Sequence, residues 1–188
     1  MNPVLLPAGV GIAILIYALT RGKPAAAAPT DSGIASPFPD VSDAKWKAFV
    51  QKMALAPADK VNSKGFYGMF QMGVRRLVDL GIMANHKKTE TGWTGDWVKC
   101  TQKEFLTNPR LQYAAFADSM KRYRPYLQKE YGATIGKSFE GKLVTMSGLL
   151  GTAHMAGGAG VGNWLKTPDY RKKFTHVTDA YLRTTGIF

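Results

Sequence analysis

The spacing of apolar residues along the chain predicts helices rather than strands. From Asp43 to about Leu55 the apolar positions recur every three or four residues, and Ser42 or Asp43 can cap the start of this helix. Its apolar face would consist of Trp46, Phe49, Val50 and Met53. No stretch alternates between apolar and polar residues strongly enough to predict a sheet, so the expected fold class is mainly α.

The second half of the chain carries clear signals for the start and end of helices. Asn108 and Pro109 form a cap followed by a proline at the first helical position, and they predict a helix that runs to about Tyr131 and stops at Gly132. Pro125 is expected to kink or split this helix. A final helix is predicted over about 175–184.

A nearly all-apolar segment predicts a helix at the centre of the fold. Thr145 can cap it, and it runs from Met146 to about Met155. The glycine-rich segment 156–162 then opens a short helix. It lacks the preceding strand and the closing Gly-Lys-Ser/Thr of a phosphate loop, so it is interpreted as a place of close packing or as one wall of a groove.

The stretch Asn62–Gly81 is predicted to form a polar glycine turn that leads into a helix. In this interpretation Gln71 lies early in the helix and can face a cleft, and Gly81 caps its end. Such an arrangement suits a groove for an extended, hydroxyl-rich ligand. The alternative is an amphipathic helix behind a glycine turn.

Three segments are predicted from composition: a hydrophobic helix at 1–20, a Pro- and Ala-rich tether at 21–39 and a globular domain at 40–188. The apolar run is at the short end of a membrane span, and its positive charges follow it rather than precede it. This pattern favours an uncleaved anchor, in a membrane or a hydrophobic protein channel, over a signal peptide. A cleaved form would end near Ala25–Ala28.

The net charge of +12 suits anionic partners such as nucleic acid, anionic lipid or acidic wall polymers. A generally solvated basic surface is the simpler interpretation. The lone Cys100 excludes an intrachain disulfide, and His86, His154 and His176 lack the spacing of a metal site. Neither a metal nor a cofactor is expected.

Several blocks of the sequence, taken in order, are similar to one enzyme family. The segments NSKGFYGMFQMG at 62–73 and LVDLG at 77–81 resemble the core motif of the soluble lytic transglycosylases, in their bacteriophage and prophage branch. FLTNPRLQYAAF at 105–116 is similar to the FLxNPxxQxxAF block of that branch. Residues 141–161 resemble its GxxxTxSGLLxAAHxGGAGGV block.

The resemblance implies a lysozyme-like fold over roughly 40–182. It also implies cleavage of the β-1,4 bond between N-acetylmuramic acid and N-acetylglucosamine in peptidoglycan, with one Glu as general acid. Met53 occupies the place of that acid here, and Met cannot donate a proton. Asp59, Glu90 and Glu140 are the remaining candidates for a relocated acid.

The same resemblance implies a sugar-binding groove. Its residues would be Tyr67, Gln71 and His154, with Trp93 or Trp97 as surfaces on which sugar rings stack. Each has a structural alternative: either tryptophan can plug the edge of a core, Tyr67 can be a core residue, and His154 can be a hydrogen-bonded core histidine.

The resulting hypothesis is a membrane-anchored, lysozyme-like protein without catalytic activity. It would be a structural or peptidoglycan-binding part of a phage virion or tail, or of the bacterial envelope, in a homo- or hetero-oligomeric assembly. One alternative is an active lytic transglycosylase with a relocated acid. The other is a basic, membrane-tethered protein that binds nucleic acid.

Overall fold

The computed structural model describes residues 35–84, 93 and 100–188. Helices make up 61% of it, which confirms the mainly α class. The elements, in chain order, are α1 (Asp43–Met53), β1 (Phe66–Tyr67), β2 (Met72–Gly73), α2 (Val74–Asp79), α3 (Gln102–Thr107), α4 (Pro109–Tyr131), a 3-10 turn (Gly132–Thr134), β3 (Ser138–Phe139), β4 (Lys142–Leu143), α5 (Met146–Lys166), α6 (Pro168–Lys173) and α7 (Thr175–Thr184).

Helix α1 begins as predicted, because the Ser42 hydroxyl accepts a hydrogen bond from the Lys45 amide. Residues just before the predicted domain boundary at residue 40 already pack against the core. Phe38 is 5% exposed and packs edge-on against Trp46 at 5.6 Å between ring centroids. The end of the predicted tether is therefore part of the domain, since an aromatic ring is buried there.

Helix α4 begins as predicted, and α3 before it is capped by its own side chains. Thr101 and Glu104 form a reciprocal capping box at the start of α3, and the Asn108 side chain caps α4. Helix α4 continues through Pro125, so the predicted split into two helices is wrong. Pro125 lies on the exposed side of the helix, where water can satisfy the carbonyl that loses its partner.

As predicted, the helix that begins at Met146 is followed by a second helix that opens in the glycine-rich segment, and the two form α5 with one change of direction between them. Gly157 has φ 74° and ψ 167°, a conformation essentially restricted to glycine, and it separates the two halves of the helix. The helix packs against α4 and α7. In its second half, Gly158 and Gly162 lie directly against the rings of Tyr126 and Tyr131. The glycine-rich segment thus serves close packing.

Two short antiparallel hairpins were not predicted. Hairpin A pairs Phe66 with Gly73 and Tyr67 with Met72, and hairpin B pairs Ser138 with Leu143 and Phe139 with Lys142. Two-residue strands are too short to show a period-two pattern, which explains why sequence periodicity missed them.

An aromatic stack forms the centre of the core. Trp46, Phe49, Phe70 and Phe116 are all at most 1% exposed. Phe70 and Phe116 stack with centroids 4.2 Å apart, and Phe116 also stacks on Trp46 and Phe49. Hairpin A, α1 and α4 are joined through these rings.

The predicted hydrophobic helix at 1–20 lies outside the described residues, as does the tether up to residue 34. Across the part of the chain that the structure describes, no helix combines the length and the apolar character needed to cross a membrane.

Candidate functional site

Hydrogen bonds from side-chain amides stabilise the turn of hairpin A. Contrary to the prediction, Gln71 lies in the turn of the hairpin, with φ 50°, and not in a helix. Its Oε1 accepts from Nδ2 of Asn62 at 2.6 Å, and its Nε2 donates to the Gly68 carbonyl at 2.8 Å. Both ends of the amide are therefore engaged, one by Asn62 before the hairpin and one within its turn, and helix α2 begins only at Val74 because these bonds favour the turn.

A second amide fixes the hairpin to the helices, and sequence reasoning overlooked it. Gln112 is 1% exposed, and its Oε1 accepts from the Met69 amide at 2.7 Å. Its Nε2 donates to the carbonyls of Ala58 at 2.9 Å and Phe105 at 2.8 Å. A glutamine within the buried face of α4 was the available signal, since a buried amide needs partners for both ends.

His154 connects α5 to hairpin A. Its Nε2 lies 2.6 Å from the Phe70 carbonyl, and because a carbonyl only accepts, Nε2 carries the proton. The ring meets Phe116 edge-on at 5.1 Å. Burial, with smaller contributions from the charges of Arg76 and Arg183, lowers its pKa to about 4, so the ring is neutral near pH 7. His154 is half-buried beside the core and hydrogen-bonded to the backbone, which favours a structural histidine.

Tyr67 and Trp93 face each other inside the protein. They are 3% and 1% exposed, with ring centroids 5.1 Å apart, and Trp93 also contacts Phe105 at 5.2 Å. Burial raises the pKa of Tyr67. Neither ring presents a free face for a sugar, so Trp93 fills the role of a core plug. Trp97 lies outside the described residues.

Met53, at the position expected for the catalytic acid, is 0% exposed and belongs to the main core. The next residues of the chain are tied to hairpin A, because the amides of Leu55 and Ala56 donate to the Met69 carbonyl at 2.7 and 3.3 Å. The end of α1 and the hairpin are thus in direct contact, and the side chain of residue 53 at this place is a buried thioether.

The candidates for a relocated acid lie in exposed positions or outside the described residues. Asp59 is 62% exposed and is paired with the neighbouring Lys60 at 3.5 Å. Glu140 is 62% exposed, and its carboxylate lies 2.8 Å from the Arg171 guanidinium. A general acid needs an environment that keeps it protonated, and neither position offers an apolar one. Glu90 lies outside the described residues.

Neither a metal-binding cluster nor a reactive cysteine is found among the described residues. Within residues 35–84, 93 and 100–188, no group of three His, Cys, Asp or Glu side chains could hold a metal ion. Cys100 is buried, and burial raises its pKa to about 12, so it is a thiol and not a nucleophilic thiolate.

Two concave surfaces lie beside hairpin B, and neither is lined by Tyr67, Gln71 or His154. The larger has a volume of about 460 Å³ and runs between the end of α4, hairpin B and the end of α5. The smaller, of about 290 Å³, is bordered by Arg171 of α6 and Asp179 of α7. None of the sugar-binding candidates that the structure describes lines either of these two concave surfaces.

Comparison with protein-family models, with curated proteins and with solved structures found no match to this chain. Its function is therefore inferred from the residues and their geometry.

Proposed function

We propose that this protein is a lysozyme-like domain that has no glycan-cleaving activity and acts as a structural or peptidoglycan-binding component. The observation that carries the proposal is Met53: the side chain at the place of the expected acid is apolar and fully buried. A lytic transglycosylase needs one carboxyl group there to protonate the leaving oxygen.

The contacts around hairpin A support the lysozyme-like part of the proposal. The motif residues that resemble the family are engaged in structural bonds: Gln71 within the hairpin, Gln112 between hairpin and helices, and His154 on the Phe70 carbonyl. A frame that is retained without its acid is what a non-catalytic relative would keep.

The proposed location follows from the sequence alone. The hydrophobic segment 1–20 would anchor the protein in a membrane or a hydrophobic protein channel, in a phage virion or tail or in the bacterial envelope. The net charge of +12 would favour contact with the acidic polymers of the wall. A homo- or hetero-oligomeric assembly is part of this proposal.

The test is incubation of the full chain with purified murein sacculi, followed by analysis for anhydromuropeptides and for bound protein. We expect retention on the sacculi and no anhydro product. Anhydro product that disappears in Asp59→Asn or Glu90→Gln would contradict the non-catalytic proposal and favour the enzyme with a relocated acid. Retention on DNA but not on sacculi would favour the nucleic-acid alternative.

A further inference from the structure

The larger concave surface, which we call the B groove, has an apolar floor. It lies beside hairpin B, and its floor contains Tyr131, Phe139, Val144 and Leu165. Its volume of about 460 Å³ falls within the range of sites that hold small ligands or short peptides. Thr134 and Ser138 add aliphatic hydroxyls to its lining.

The aromatic part of this floor is held in place before any ligand binds. The ring of Phe139 contacts Trp164, at 5.1 Å between centroids, and the Arg171 guanidinium, at 4.8 Å from its centroid. Tyr131 is held against Tyr126, at 6.3 Å, and against the backbone at Gly162. A preorganised floor lowers the entropy cost of binding.

The charges at the rim have a definite pattern. Two exposed lysines, Lys137 and Lys166, and one carboxylate, Glu130, line the groove. The negative end of helix α5 would weaken an anion site here, but Arg171 Nη1 donates to the carbonyls of Trp164 at 2.6 Å and Leu165 at 3.3 Å. The rim therefore keeps the positive character of its two lysines.

We propose that the B groove binds a short anionic peptide that carries two carboxylates, one amino group and small apolar side chains, as the stem peptides of peptidoglycan do. This inference rests on the proposed peptidoglycan-binding function. The two lysines pair with the carboxylates, Glu130 pairs with the amine, and the alanine methyl groups lie on Phe139 and Leu165. Selectivity comes from the charge pattern, and affinity from the apolar floor.

The probe is the synthetic tetrapeptide L-alanyl-γ-D-glutamyl-L-lysyl-D-alanine, acetylated at its amino terminus and titrated by calorimetry into the full chain. We expect binding that weakens at least tenfold when both carboxyl groups of the peptide are amidated. The Lys137→Glu/Lys166→Glu variant should lose binding to a similar extent. Lys45→Glu/Lys52→Glu on α1 makes the same change in net charge away from the groove and should bind like the wild type.

Equal binding of the free and amidated peptides, equal losses in the two double variants, or no binding by the wild type would each overturn the B groove proposal. A parallel assay compares intact sacculi with sacculi whose stem peptides an amidase has removed. Retention on both, without peptide binding, overturns the groove while the proposed function stands. Retention on neither, together with peptide binding, overturns the proposed function but leaves the groove.

Discussion

Hairpin A and hairpin B use the same backbone element in opposite ways. Hairpin A is joined to the rest of the fold by side-chain amides and a histidine; of its two aromatic strand residues Tyr67 is buried and Phe66 is exposed. Hairpin B is joined at its edges, where Tyr181 and Thr185 donate to the Leu143 carbonyl, and it leaves an open groove beside Phe139.

The sugar-binding candidates that the structure describes and the residues that border the open groove therefore lie in different parts of the molecule. Gln71 in the turn of hairpin A and Gln112 in α4 stabilise the fold, because the polar atoms of both amides are occupied by protein partners. The residues around hairpin B border an open concave surface instead. Substitutions on each side of the molecule test this contrast.

The largest effect is expected for Met53→Glu, which puts a carboxyl group into the core behind hairpin A. Since Met53 lies within the apolar cluster, the free energy of unfolding should fall by about 3–5 kcal/mol in urea denaturation. Met53→Leu is the control and should cost less than about 1.5 kcal/mol. A stable Glu variant that releases anhydromuropeptides would instead show that this position opens into a working cleft.

Gln112→Leu tests whether hairpin A depends on its amide bonds. The substitution leaves the Met69 amide and two carbonyls without their partner, and we expect the free energy of unfolding to fall by about 3 kcal/mol. Gln128→Leu, on the exposed side of the same helix, is the matched control. Similar values for the two variants in urea denaturation would mean that the buried amide adds little to the stability of the hairpin.

We expect His154, which binds the turn of hairpin A, to make the free energy of unfolding depend on pH. Its pKa of about 4 in the folded protein lies below the ordinary value of 6.5, so the unfolded chain binds the proton first as the pH falls. Stability is then complete above pH 6.5 and decreases by up to about 3 kcal/mol towards pH 4.

The measurement is urea denaturation between pH 7 and pH 4. His154→Gln keeps a donor for the Phe70 carbonyl without titrating, and its profile should be flatter than that of the wild type. Identical profiles for wild type and His154→Gln would rule out this source of pH dependence.

Gly157→Ala tests the B side of the contrast and should have the smallest effect on stability. The substitution forces an alanine into a conformation that favours glycine, at a cost of about 1–3 kcal/mol in thermal unfolding. Because the bend at Gly157 sets the direction of the helix end that carries Leu165 and Lys166, peptide affinity should fall as well. A variant with a raised melting temperature and normal affinity would show that the bend is not required.

Helices with strong local signals could be predicted, since caps and prolines act within a few residues. The Ser42 cap, the Asn108–Pro109 start and the last helix at Thr175–Thr184 all agree with the structure. Gly81 also ends α2 as predicted, with φ 74° and bonds from its own amide and that of Ile82 back to the helix.

The candidate site could not be predicted to the same extent, because it depends on contacts between distant residues. Nothing near Gln71 in the sequence shows that Asn62 will hold it in a turn. Trp93 next to glycine fits a sugar platform or a core plug equally well until Tyr67 and Phe105 are placed around it. The B groove likewise brings together residues of α4, hairpin B and α5.

Gln112 also has a consequence for the order of events in folding. Its partners Met69 and Ala58 lie 43 and 54 positions away along the chain, so their bonds can form only when hairpin A has docked onto α4. Contacts of such long sequence separation require loop closure first and tend to form late. The amide would then stay hydrated through most of folding, and its bonds would act mainly by slowing the unfolding of the finished domain.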